Sequence, residues 1–91
     1  MAVTVTIDVP TATEVSPGVY QISVEATAVD GLTSLGTRTF STSTSATNQA
    51  ARDTVSATLA FEIVAWRESL QRMVNAAPLL TALKVNIEGR L

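Results

Sequence analysis

The chain contains no cysteine and no histidine. Without cysteine there is neither a disulfide framework nor thiol chemistry, which excludes a cysteine-stapled secreted scaffold and leaves the compartment open. Without histidine the commonest acid–base group is missing, and tetrahedral zinc has no plausible ligand set. Charge is also scarce, at 15% of residues against roughly 25% in ordinary globular chains. The six Arg and Lys residues are spread singly from Arg38 to Arg90 and the net charge is −2, so no basic stripe stands ready for phosphates and no nucleic-acid partner is expected. Glycine is thin too: Gly18, Gly31, Gly36 and Gly89 stand apart, and no phosphate-cradling loop can be built from them.

The acids are no more suggestive. Asp8, Glu14, Glu25, Asp30, Asp53, Glu62, Glu68 and Glu88 show no spacing suited to calcium or to a carboxylate pair in catalysis. Asp8 and Glu25 are expected on one outer sheet face, as a solvated pair. The uncharged run from Met73 to Leu83 is interrupted by Asn75, Pro78 and Thr81, and falls short of the roughly 20 apolar residues of a membrane span. MAVTVTIDVP has neither the basic nor the long apolar region of a signal peptide. These absences predict a soluble chain with no catalytic residues, metal, cofactor or small-molecule substrate.

What remains is a clear pattern of periods. In VTVTIDV, residues 3–9, Val3, Val5, Ile7 and Val9 alternate with Thr4, Thr6 and Asp8, the signature of a half-buried strand. Pro10 ends it, and TATEVSPG reads as a turn. A second strand spans about 19–29, with Tyr20, Ile22, Val24, Ala26 and Ala28 on one face. The taper from Tyr to Ala implies that something bulky approaches the chain near Ala26 and Ala28. After a turn at Asp30-Gly31, with Gly36 on its far side, GTRTFSTS forms a weak third strand, an edge carrying Phe40.

From about Asn48 to Asn75 the period becomes 3.6. Val55, Leu59, Ile63, Trp66, Leu70, Met73 and Val74 fall within an arc of about 100°, the core stripe of an amphipathic helix. Ser45, Thr47 and Asn48 are competent N-caps, and Pro78 is expected to close the helix. TALKVNIE, residues 81–88, alternates again and reads as a last strand. The expected fold is therefore α+β: a two-layer sandwich with a three- to four-stranded, mostly antiparallel sheet and one long helix, in the order ββ(β)αβ, forming a single domain over residues 1–91.

Two candidate features remain. The hydroxyl run from Ser41 to Ser45 is either an anion site at the helix start or a joint, and the lack of a nearby Gly or Lys favours the joint. Trp66 falls on the core stripe and reads as an anchor. Phe61 and Val64 lie opposite that stripe among Ala57, Ala60 and Ala65, so the middle of the helix is apolar nearly all round, as when a helix is buried on two sides. A sheet of four strands, roughly 19 Å wide, also exceeds one helix, about 10 Å across with its side chains. Both points predict contact with a second protein through Phe61, Val64, Ala57, Ala60 and, at the sheet edge, Phe40.

The low-charge, Thr- and Ala-rich style of VTVTIDV, VYQISVEATAVDG and GTRTFSTSTSAT, without Cys or His, resembles small head, neck, tail or cement proteins of tailed bacteriophages. That resemblance implies a virion protein that packs against itself or neighbouring virion proteins in a symmetric particle. The alternative expectation is a cytoplasmic binding module that captures an extended peptide by strand addition at the Phe40 edge. An enzyme at a shared subunit interface is a third class, and no residue pattern supports it.

Overall fold

The computed structural model describes residues 2–91. Four antiparallel strands, β1 (Val3–Ile7), β2 (Thr11–Ser16), β3 (Val19–Asp30) and β4 (Thr33–Thr44), are followed by a single helix, α1 (Gln49–Glu88). The α+β class is as expected. The order is not: the helix comes last, and residues 81–88 are its final turns rather than a strand.

β3 is the spine of the sheet. β4 pairs with it along one side, from Tyr20↔Thr44 to Asp30↔Thr33. On the other side β1 covers Ala26–Asp30 and β2 covers Val19–Ser23. These two strands are successive stretches of one edge, joined through Asp8, whose amide donates to Glu25 O at 3.0 Å. The sheet is thus three rows wide, about 14 Å at the usual strand spacing. TATEVS, expected as a turn, is itself a strand, because Pro10 interrupts the edge without ending it.

The turns are set by glycine where L-residues are strained. Gly18 (φ 78°) and Gly31 (φ 62°) hold positive φ in the links before and after β3. Gly36 (φ 113°) lies inside β4, where the register with β3 shifts between Ala28 and Val29. There a β-bulge, rather than the far side of the turn, uses its freedom.

Asn48 caps the helix, its side chain accepting from the Ala51 amide at 2.9 Å. The helix begins at the Thr44 end of β4 and runs back across the sheet. Val24, Ala26, Phe40 and Leu59 form the core, with Val5, Ile22, Val55, Ile63 and Trp66 packed around them. Ala26 and Ala28 are fully covered, so the taper in β3 marks the close approach of the helix. Trp66 meets Phe40 edge-to-face with ring centroids 5.7 Å apart, and the Arg38 guanidinium lies 5.1 Å from the Phe40 centroid.

Near the end of the sheet the Val3 amide donates to Gln71 Oε1 at 2.7 Å. Beyond it the helix keeps going. Residues 72–88 add about 25 Å at 1.5 Å per residue, and the molecule is 63 × 23 × 19 Å. Pro78 lies inside the helix rather than closing it. Every residue from Ala77 to Leu91 is exposed.

Candidate interaction surface

Three surfaces with exposed apolar side chains follow from this geometry. The first is a cleft of about 430 Å³ on the β4 side of the helix, between Arg38, Phe40, Phe61, Glu62, Ala65, Trp66 and Ser69. It exists because one helix cannot cover a sheet three rows wide. The second is a groove on the opposite flank, where Val5 and Ile7 of β1 face Ala60, Ile63 and Val64. The third is the projecting half of the helix, where Met73, Leu79, Leu80, Leu83 and Ile87 are all exposed.

The expected interface residues fall on different sides of these surfaces. Phe61 is 77% exposed and borders the β4-side cleft, while Val64 and Ala60 line the β1-side groove. Ala57 is exposed on the back of the helix. Phe40 is only 5% exposed. Its side chain faces the helix and forms part of the core, so only the backbone edge of β4 is open at that position.

The projecting residues depart from the sequence expectation. Leu83, Val85 and Ile87 alternate as a strand would, yet Leu79, Leu80, Leu83 and Ile87 also stand at helical spacing. Lys84 and Glu88 form an i,i+4 ion pair at 3.5 Å, a spacing available only to a helix. Met73, expected in the core, is 63% exposed because the sheet has ended by then.

The hydroxyl run belongs mainly to β4, which includes Ser41 to Thr44. Ser23 and Ser41 share a hydrogen bond of 2.9 Å across the strands, and Thr27 and Thr37 one of 3.2 Å. The outer sheet face therefore carries cross-strand hydroxyl pairs that tie β3 to β4. Only Ser45 to Asn48 make the joint, where the Thr44 hydroxyl donates to Ala46 O at 2.9 Å. Asp8 and Glu25 line a shallow cleft on the same outer face with Thr11, Ser23 and Thr39.

Both sheet edges are open: β4 pairs with β3 alone, as do β1 and β2. Among the described residues, no group of His, Cys, Asp or Glu is placed to hold a metal ion, and no helix is long and apolar enough to cross a membrane. No protein family, curated protein or solved structure matches the chain significantly.

Proposed function

We propose that this protein is a non-enzymatic structural subunit, a small virion component that packs against itself or neighbouring virion proteins. The observation that carries the reading is the helix that outruns its own sheet. Its projecting half is uncharged from Met73 to Leu83 and leaves six large apolar side chains, Met73, Leu79, Leu80, Leu83, Val85 and Ile87, in water. Exposed apolar surface on that scale marks a contact site.

Pro78 adds weight. Proline inside a helix costs about 3 kcal/mol relative to alanine, and an unpacked stretch of this length is marginal as a helix in water. A helix maintained through that residue, with nothing of its own chain to pack on, is suited to a neighbour. The open sheet edges and the cross-strand hydroxyl face give further flat surfaces for stacking subunits. The likeness in style to tailed-phage virion proteins supports the choice of assembly.

Light scattering over a range of concentrations tests the reading. A defined oligomer of the 9.6 kDa chain is expected, and a clean monomer at high concentration counts against self-assembly. A second reading, capture of an extended peptide by strand addition at the β4 edge, is favoured by one feature: a twelve-residue strand whose outer edge has no strand partner and which carries a single charge, Arg38. That module is a monomer when free.

A further inference from the structure

Plotted at about 100° per residue, the projecting half of the helix does not continue the core stripe. Ala76, Leu79, Leu80, Leu83 and Ile87 are turned by roughly 90° toward the β4 side, whereas Met73, Val74 and Val85 are not. Phe61, Ala65, Ala76, Leu79 and Leu83 then lie along one strip, within an arc of about 60°, with Leu80 and Ile87 beside it. The strip starts in the cleft between Phe61, Ala65 and Trp66 and ends at the tip of the helix. Pro78 falls on the opposite side, where its ring does not obstruct an approaching helix.

From this strip we infer a two-fold dimer, a partnership that rests on the assembly reading above. The projecting helix of one copy lies antiparallel along the same strip of a second copy, and its tip enters the partner's cleft beside the partner's Phe61.

Three features of the chain fit this occupant. The first is sidedness and length. With the two-fold axis near residues 74 and 75, Leu83 falls opposite the partner's Ala65, and the roughly 25 Å of projecting helix reaches the cleft while the two sheets stay at opposite ends. Arg72, in the middle of the strip, meets the partner's Ala76, which is small enough to admit its aliphatic stem.

The second is charge. The projecting half carries Lys84, Glu88 and Arg90 near its tip, a net charge of +1 with Glu88 paired to Lys84, whereas Glu62 and Glu68 flank Ala65 one turn to either side. The antiparallel arrangement brings these opposite signs together twice, once at each end. A parallel arrangement would set like charges side by side.

The third is area. Phe61, Leu79, Leu80, Leu83 and Ile87 together offer on the order of 600 Å² of exposed surface per copy, against the roughly 800 Å² that each partner gives to a stable interface.

The test uses the full chain, which has no native cysteine. In an Ala65→Cys/Leu83→Cys double variant, the two thiols of one helix are about 27 Å apart, far beyond the reach of a disulfide. Mild oxidation should therefore link the thiol introduced at position 65 of one copy to the thiol at position 83 of another. Mass spectrometry would read this as a tryptic 53–67 peptide joined to 73–84. Links of 65 to 65 or of 83 to 83 in their place would overturn the antiparallel pairing. Leu83→Glu should reduce the dimer to the monomer with an unchanged circular-dichroism melt of the sheet. An oligomer of unaltered mass in Leu83→Glu removes this pairing and leaves assembly through other surfaces intact. A wild-type chain that is monomeric at every concentration removes both.

Discussion

The two halves of α1 have similar sequences in bulk and opposite circumstances. From Gln49 to Gln71 the helix lies on its own sheet, and Val55, Leu59, Ile63 and Trp66 are packed against Val24, Ala26 and Phe40. From Arg72 onward it carries as many large apolar residues, and from Ala77 every residue is exposed. A helix's apolar stripe is thus not evidence of where its partner surface lies. In the first half the partner is this chain; in the second half the stripe has turned by roughly 90° and the chain supplies nothing opposite it.

That contrast predicts very different responses to the same substitution. Leu59→Glu places a charge in the core of a small domain with no large side chain fully sequestered. It should unfold the chain outright, seen as loss of the cooperative thermal transition. A folded, soluble variant would contradict the assignment of the first half. Ala26→Leu fills the point of closest helix approach and should destabilise by about 1–3 kcal/mol in urea melts.

Phe61→Glu and Leu80→Glu probe the other surface. Each should change the stability of the monomer by less than about 0.5 kcal/mol while lowering the oligomer mass. A loss of fold comparable to Leu59→Glu would erase the distinction between the halves. The smallest effect belongs to Pro78→Ala, which restores a helical hydrogen bond at an exposed site. It should raise helical circular dichroism in the dilute protein by a few residues' worth, and no rise would mean that the projecting half is already fully helical without a partner.

The first half of the molecule is legible in the sequence, and the second half misleads. Period-two alternation locates β1 and β3, the turn at Asp30-Gly31 leads to β4 from Gly36 on but misses its start at Thr33, and the 3.6-residue stripe from Val55 to Leu70 locates the core face of the helix. Both periods are strong where one surface is buried by the chain itself. β2 escapes because every residue of Thr11–Ser16 is exposed, so it has no buried face to imprint an alternation. The last turns of the helix escape because a stretch as short as 81–88 satisfies both periods, and Pro78 suggests a boundary. The feature that separates the readings is the Lys84–Glu88 spacing together with Leu79 and Leu80, adjacent residues that belong on opposite faces of a strand but near one face of a helix.

The interface is legible in part. The excess of apolar residues on the helix is visible, and Phe61 stands where that excess predicts. Phe40 lies on the edge strand as expected, but its side chain is in the core, since alternation alone cannot say whether the lone large residue of an edge strand faces the helix or the solvent. The sheet has three rows rather than four, still wider than one helix, and the uncovered margin is the cleft beside Phe61.

The most direct measurement is amide hydrogen exchange across the helix at two protein concentrations, one at which the chain associates and one well below it. Residues 77–88 should be protected in the associated protein and exchange freely on dilution, while Val24 to Ala28 and Leu59 to Trp66 stay protected at both. Protection of 77–88 that does not change with concentration would show that the projecting helix stands without a partner, and would contradict its assignment as an assembly surface.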